Sequence, residues 1–302
     1  MSRLIHLKLL VLVGVVCLAC SAPEEETPTR GRLHMLVSES HAQLMREEAK
    51  TFERLYPETK ITVGAATTRE AIVHMVRDSV RLICIDRPLN AEERAAAEEA
   101  KLEISETKIA DDALAVLVHL QNPVPHMTLA TLAEIMAGNR TTWQQVEEAR
   151  WPGPIEIAVT GRNSGTYELL TRHFLHLSDD IPAAFVAAQQ RQVLEYVSAH
   201  PRALGVVAAV ALQDSFPHLR TLALPAADSA ATSAFVKLHQ ANVYRGWYPL
   251  RFPIYLYATA ERGSLASGFT AFVASAPGQK ILLDAKLVPA TMPVRLVQLN
   301  EN

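Results

Sequence analysis

The chain has 302 residues, of which 29 are basic and 32 acidic, so its formal charge at neutral pH is only −3. It carries no run of basic residues and no basic–aromatic patch, which argues against nucleic-acid binding and means that any anion site must come from local side chains. With three cysteines in such a length a disulfide scaffold is excluded, and Cys84, in the apolar run LICI, is expected to be a buried, inert thiol. The length suffices for two lobes of ordinary domain size.

The N-terminal segment is typical of a secretory signal. Basic residues precede an apolar run over residues 9–16, too short for a spanning helix, and the tripeptide LAC ends it at Cys20. This end resembles the lipobox of bacterial lipoproteins, which implies lipidation of Cys20 and a membrane-anchored, extracytoplasmic location on the periplasmic face. The alternative is an ordinary signal peptide with a chance cysteine. Residues 1–20 are predicted to be the signal peptide, and residues 21–31, rich in Pro, Glu and Thr, a flexible tether.

From residue 33 to residue 101, short β-branched runs alternate with longer helical stretches. Strands are predicted over residues 33–38, 60–65 and 81–85, and helices over residues 41–56, 69–78 and 91–101. This alternation is typical of a doubly wound α/β sheet with helices on both faces.

Two long apolar strands lie far apart in sequence, over residues 113–120 and 248–259. Further strands are predicted over residues 155–160 and from residue 203, and helices over residues 129–137, 167–177, 193–199 and, with a break, 267–286. Because each long strand joins two α/β blocks, we expect two hinge strands between two lobes, each a doubly wound sheet flanked by helices. Lobe I would hold residues 32–114 and 255–302, and lobe II residues 115–254, with a ligand between them where strand ends and helix N-termini converge.

The segment IEIAVTGRNSGTYELL, over residues 155–170, runs from a strand through a polar loop into a helix. Such a helix start offers unpaired backbone N–H groups and the positive end of the helix dipole to an anion. Ser164 and Thr166 add hydroxyl donors, and Gly165 lets an anion approach the backbone. Arg162 can make two charge-assisted bonds to an oxyanion. The alternative is that Ser164 or Thr166 only caps the helix.

Two further helix starts carry hydroxyl groups. Thr68 and Arg69 stand at the head of the helix after the second strand, and Ser38 and Ser40 lie between the first strand and the first helix. The alternative for the former is a capping box made by the neighbouring threonine and glutamate. All three loops follow the carboxyl ends of strands, where open α/β sheets bind ligands.

Asp86 follows the apolar run LICI and is predicted to lie at the same end of the sheet. A buried acceptor there would favour a protonated phosphate, which has a proton to donate, over sulfate, which has none at neutral pH. The alternative is that Asp86 pairs with Arg87 or caps the turn that follows.

Five segments together resemble the phosphate-binding proteins of phosphate-specific ABC transporters, a branch of the two-lobed periplasmic binding proteins. The segments are SGT at 164–166, IDRPLNAEE at 85–93, NPVPHMTLATLAEIMAGNRTTWQQV at 122–146, YPLRFPIYLY at 248–257 and SGFTAFVASAPGQKIL at 267–282. The resemblance covers residues 33–290 and implies an α/β, two-lobed periplasmic-binding-protein fold. It also implies phosphate contacts at the positions that match the family: Ser40, Thr68, Asp86, Arg162, Ser164, Gly165 and Thr166.

The resemblance further implies a monomer without cofactor that binds inorganic phosphate, or a related oxyanion, and delivers it to the permease subunits of an ABC importer. The departures from the family concern the ligand. Val37 replaces the first-loop glycine, and Glu39 adds an acid. The family's arginine position is Thr160 here, and the shorter spacing of Arg162 to the SGT could swing its side chain away. Additional anion contacts are then expected from three other residues, Ser38, Arg69 and Arg87.

Other functions fit the sequence less well. Ser164 has no GxSxG context, and the eleven histidines form neither HExxH nor another tight ligand spacing, so neither an enzyme nor a metal site is predicted. The remaining alternative is a non-transport envelope lipoprotein, a sensor or scaffold, that keeps the fold with a degenerate anion site. Glu39 and the short loop GRNSGT motivate it.

Overall fold

The computed structural model describes residues 26–146, 151–213, 216–227, 234–259 and 263–291. The predicted signal peptide, with Cys20, lies outside these ranges. Within them, no helix is long and apolar enough to cross a membrane. Glu26, which was assigned to the flexible tether, packs against the body of the protein: its carboxylate accepts the Leu265 N–H at 2.9 Å and pairs with Arg81 at 2.6 Å.

Strands and helices alternate along most of the chain. The strands are β1 (Gly31–Ser38), β2 (Thr59–Ala66), β3 (Leu82–Ile85), β4 (Ser105–His119), β5 (Glu156–Thr160), β6 (Phe185–Ala187), β7 (Ala203–Ala208), β8 (Leu219–Thr221), β9 (Leu224–Pro225), β10 (Phe235–Val236), β11 (Arg251–Ala258) and β12 (Val288–Pro289). The α-helices are α1 (Ala42–Leu55), α2 (Thr68–Val76), α3 (Ala91–Glu99), α4 (Leu129–Met136), α5 (Gly165–Glu168), α6 (Gln190–Ala199), α7 (Gln240–Tyr244), α8 (Leu265–Ala274) and α9 (Ala276–Asp284). Short 3-10 helices cover Glu39–His41, Trp143–Gln145 and Ala209–Gln213.

The helices that flank the candidate site start at side-chain caps. α2 begins with a capping box in which Thr67 accepts the Glu70 N–H and Glu70 reaches back, and α3 begins with an equivalent box of Asn90 and Glu93. These reciprocal bonds satisfy backbone donors that a helix start otherwise leaves unpaired. The capping-box alternative predicted for Thr67 is thus formed, one residue before Thr68.

One long strand, β4, runs through both lobes. Up to Ala113 it pairs antiparallel with β11, and from Leu114 onward it pairs antiparallel with β7. β11 also pairs with β3, which completes the lobe I sheet in the order β2-β1-β3-β11-β4. β11 joins this sheet at Arg251, four residues before the predicted lobe boundary at residue 255.

In lobe II, β5 is parallel to both β7 and β6, and β8 pairs with the far end of β4. The helix predicted over residues 167–177 starts earlier, as α5, and continues as a π-helix over Leu169–Phe174. Cys84 is fully buried in β3, and it is a free thiol.

Candidate functional site

Asp86 is the centre of a hydroxyl cluster in lobe I. Its carboxylate is 2% exposed and accepts hydrogen bonds from the hydroxyls of Thr68, at 2.6 Å, and Ser38, at 2.9 Å. Ser38 ends β1, Thr68 begins α2, and Asp86 follows β3. Since β1 and β3 are parallel neighbours, their carboxyl ends lie at one edge of the sheet, which brings the three side chains together.

The lobe II side of the site is built at the start of α5. Ser164 is the N-cap: its hydroxyl oxygen accepts the Tyr167 N–H at 3.1 Å and lies 2.6 Å from the hydroxyl of Thr160. The capping alternative for Ser164 is therefore formed. Thr166, two residues later, has a buried hydroxyl that is directed to the other lobe.

Gln190 joins the hydroxyls of Ser40 and Thr166, which lie 3.2 Å apart across the interlobe cleft. Its side-chain amide donates to Ser40 and, at 3.0 Å, to Thr166, while its carbonyl oxygen accepts the Ala208 N–H at 2.7 Å. The last bond orients the amide so that its N–H groups point at the two hydroxyls. The sequence predictions did not include Gln190, because a glutamine at a helix start has no pattern typical of an anion site.

Gly165 of lobe II packs directly against lobe I. A Cβ at this position would lie 2.0 Å from Asp86 Oδ2 and 3.0 Å from the Ser38 hydroxyl oxygen. Its φ angle is not positive, so glycine is needed here for space and not for backbone conformation. The Gly165 N–H donates to Glu39 Oε1 at 3.1 Å. The backbone donor predicted to meet an anion is thus bonded to a carboxylate of the protein itself.

Glu39 is a second acidic group at this junction. Its Oε2 atom is buried and has no hydrogen-bond partner among the described residues. Burial, supported by repulsion from Asp86, raises the pKa of Glu39 to about 7, although backbone hydrogen bonds and His41 act in the opposite direction. This carboxyl therefore keeps its proton to a higher pH than an exposed glutamate does.

The predicted arginines lie outside the cluster. The Ser164 N–H donates to the Gly161 carbonyl at 2.9 Å, which closes a tight turn and places Arg162 at its tip. There Arg162 is 71% exposed and pairs with Asp180 at 2.5 Å. Arg162 was predicted to contact the anion, but the short loop directs its side chain to Asp180 instead.

The other two candidate arginines are also directed elsewhere. Arg87 makes two bonds of 2.8 Å to Glu93, and its Nε lies 3.3 Å from Glu168 of lobe II. These partners raise the pKa of the Arg87 guanidinium, so it remains charged. Arg69 is exposed and lines, together with Arg162, an open groove of about 620 Å³ beside the cluster. No cation among the described residues contacts the hydroxyls around Asp86.

Two α/β lobes that share β4 and meet at a buried polar cluster define a two-lobed binding protein. Residues 22–277 match the family model of the PBP superfamily domain. The chain therefore belongs to the PBP superfamily, the periplasmic binding proteins.

Known proteins resemble the chain over most of its length. The phosphate-binding protein PstS of Pseudomonas aeruginosa is 24% identical over 89% of this chain and 85% of PstS. The protein SphX of Synechococcus elongatus is 25% identical over 72% of this chain, which spans 65% of SphX.

Solved structures extend the comparison to the fold. A phosphate ABC transporter substrate-binding protein of Clostridium perfringens, with bound phosphate, has a TM-score of 0.71 at 19% identity. An ABC-type phosphate transport receptor of Vibrio cholerae has a TM-score of 0.69 at 20% identity, and each comparison covers 86% of this chain and 100% of the other. The predicted α/β, two-lobed fold and the predicted resemblance to phosphate-binding proteins of ABC transporters are confirmed.

Proposed function

We propose that the protein is an extracytoplasmic solute-binding lipoprotein that holds phosphate, or a related oxyanion, between its lobes and delivers it to an ABC importer. The observation that carries this proposal is the convergence of hydroxyl groups from both lobes. Ser38 and Thr68 of lobe I bond to Asp86 directly against Gly165, and beside them Ser40 of lobe I meets Thr166 of lobe II. Relatives named as phosphate-binding proteins support the choice of ligand.

Asp86 would make the site selective for phosphate over sulfate. A hydroxyl is both donor and acceptor, so Ser38 and Thr68 can turn their protons from Asp86 to a bound oxyanion. Asp86 then accepts a proton that phosphate carries and that sulfate lacks. A sulfate in the same place leaves the carboxylate unpaired and repelled, and an unpaired buried polar group costs about 1–3 kcal/mol.

This mechanism predicts that Asp86→Asn narrows the preference for phosphate over sulfate by roughly 10-fold to 100-fold, since the amide can donate to either anion. Calorimetric titration of the purified full chain with phosphate, sulfate, arsenate and molybdate measures the preference. Asp284→Asn, an exposed aspartate that pairs with Lys280, is the matched control and should leave every affinity unchanged. An unaltered phosphate-to-sulfate ratio in Asp86→Asn would remove the aspartate from ligand selection.

The lipid anchor is tested separately, because Cys20 lies outside the described residues. Cys20→Ser should move the protein from the membrane fraction to the soluble fraction, since the acyl chains alone are proposed to hold it there. Cys84→Ala is the control: that thiol is fully buried, so the variant should stay on the membrane and incorporate labelled palmitate. Palmitate in Cys20→Ser would show that another residue carries the lipid.

A second candidate is a non-transport envelope lipoprotein that keeps the fold without an oxyanion ligand. The bond from the Gly165 N–H to Glu39 and the pairing of Arg162 with Asp180 favour it. The same titration separates the two candidates, because a folded chain that binds none of the four anions fits only the second. Neighbouring genes for an ABC permease and ATPase would favour transport.

A further inference from the structure

The Glu39 carboxylate lies where the two lobes meet and is itself an oxyanion. One of its oxygens accepts the Gly165 N–H at 3.1 Å, and the other is buried without a hydrogen-bond partner among the described residues. Gly165 belongs to the SGT loop, the segment proposed to hold the ligand. A side chain from the first loop of lobe I thus makes the contact that an anion between the lobes would make.

An anion and Glu39 cannot use this position together. The Gly165 N–H points at a single acceptor, and Asp86 lies directly against the same glycine. With both side chains in place, a further anion would meet the charge of Asp86 and a Gly165 N–H already in use, while Arg87 and Arg162 are bonded to other acids. Burying such charges without a paired cation is strongly unfavourable. Binding of an oxyanion therefore requires Glu39 to leave.

The structure contains room for that movement. Glu39 lines a groove of about 930 Å³ whose lining does not include Asp86 and does include Arg46 and Arg191. A rotated Glu39 side chain would enter this groove, where solvent and the Arg46 guanidinium can stabilise its charge, while Arg191 pairs with Glu195. Two acids, Glu47 and Asp284, also line the groove, and each pairs with a lysine of its own helix, Lys50 and Lys280.

We propose that Glu39 is the specificity-determining residue of the anion site: a tethered carboxylate that occupies the ligand position when the lobes close and that an incoming oxyanion must displace into the adjoining groove. This inference rests on the proposed function and goes beyond it, because it assigns to one residue the affinity and the pH dependence of binding. An anion can bind only if its interaction free energy with the closed site exceeds that of Glu39, so weakly bound anions are excluded.

Protonation of Glu39 makes its displacement by an anion depend on pH. The groups that face it are Asp86 across the junction, His41 on its own 3-10 helix and the Gly165 N–H of lobe II. The groove adds two arginines and two acids, Arg46, Arg191, Glu47 and Asp284. The pKa of Glu39 is raised to about 7 in the closed state, against 4.5 when exposed. The position of Glu39 against Gly165 is thus most stable below pH 4.5, the ordinary pKa of glutamate, and becomes less stable as pH rises toward 7. Displacement releases a proton over that interval, so a rise in pH favours anion binding by up to about 10-fold per unit.

The test compares three forms of the full chain, titrated calorimetrically with inorganic phosphate between about pH 5 and pH 8: wild type, Glu39→Ala and Glu39→Gln. Glu39→Ala removes the competitor and should bind phosphate roughly 10-fold to 100-fold more tightly than wild type. Glu39→Gln keeps an acceptor for the Gly165 N–H without a charge, so its affinity should fall between the two. The pH dependence of phosphate's own ionisation is common to all three forms, and the additional dependence should appear in wild type alone. Glu99→Ala, an exposed acid at the end of α3 and outside the groove, is the control and should bind like wild type.

Each result of these titrations supports or overturns the inference. Wild type that binds phosphate as tightly as Glu39→Ala, or more tightly, overturns the inference and leaves the proposed function intact. Glu39→Ala that binds phosphate where wild type does not supports both. Three folded forms that bind no phosphate at any pH overturn both, because removal of the carboxylate then exposes no anion site.

Discussion

Gly165→Ala is expected to prevent the two lobes from closing. A methyl group at this position would lie 2.0 Å from Asp86 Oδ2 and 2.9 Å from Asp86 Cγ, distances at which atoms overlap. Asp86 cannot turn aside, because both of its oxygens are held by hydroxyls of Ser38 and Thr68. The lobes must therefore separate, and the contacts of Glu39 and Ser40 with lobe II are lost. We expect the closed population to fall by more than about 100-fold and phosphate affinity to fall with it.

Hydrogen exchange measures this opening directly. Backbone amides over residues 37–41 and 164–168 should exchange faster in Gly165→Ala than in wild type, while those of β4 remain protected because each lobe keeps its core. Gly161→Ala is the matched control from the same loop: a Cβ there meets nothing within 4 Å. Equal exchange in wild type and Gly165→Ala would mean that the lobes do not meet at this glycine in solution.

The elements that the sequence predicts well are those whose pattern is local. The run LICI forms β3 over Leu82–Ile85, and the break predicted in the last long helix separates α8 from α9 at Ser275. The first half of β4 was not predicted. Its residues Ser105, Glu106 and Lys108 are polar or charged, and they pair with β11, a partner about 145 residues away in the chain that supplies the apolar context.

In the candidate site, too, the local features could be predicted from the sequence and the long-range contacts could not. Hydroxyls at strand ends could be predicted, since parallel strands place their carboxyl ends together whatever the detailed packing. The contacts between lobes could not, because they join residues far apart in sequence: Gln190 donates to Ser40 at a separation of 150 residues, and Gly165 to Glu39 at 126. Glu39 was recognised as an unusual acid, but its partner depends on how the lobes meet. Arg162 was predicted among the phosphate contacts, and the structure places it at the tip of a turn on Asp180, because the loop before Ser164 is too short to direct it inward.

Glu48→Met is expected to stabilise the protein and to flatten its stability profile between acidic and neutral pH. Glu48 lies on the buried face of α1 and is 0% exposed, and neither carboxyl oxygen has a hydrogen-bond partner among the described residues. Burial raises the pKa of Glu48 from 4.5 to about 9, so the side chain is a neutral acid at pH 7. Methionine has a similar length and no polar atoms to leave unpaired, and it fills irregular space well.

The direction of the pH effect follows from this raised pKa. In the unfolded chain Glu48 loses its proton above pH 4.5, whereas in the folded chain it keeps it up to about pH 9. The stabilisation that comes from keeping Glu48 protonated is therefore complete below pH 4.5, the pKa in the unfolded chain. It declines by about 1.4 kcal/mol per pH unit as pH rises toward the pKa in the folded chain. At pH 7 the accumulated loss is about 3 kcal/mol, and removal of the unsatisfied oxygens adds about 1–3 kcal/mol.

Urea denaturation of wild type and Glu48→Met at several pH values between about 5 and 8 tests both statements. The difference in unfolding free energy should favour the variant and grow with pH, because only wild type must either keep a proton or bury a charge. Glu47→Met, on the exposed side of the same helix, has a side chain 48% exposed and should change stability by less than about 0.5 kcal/mol at every pH. If the difference in unfolding free energy between wild type and Glu48→Met stayed constant with pH, Glu48 would not be the group whose ionisation changes stability. A variant less stable than wild type at pH 7 would mean that Glu48 has polar partners in solution, since an acid with satisfied oxygens loses hydrogen bonds when methionine replaces it.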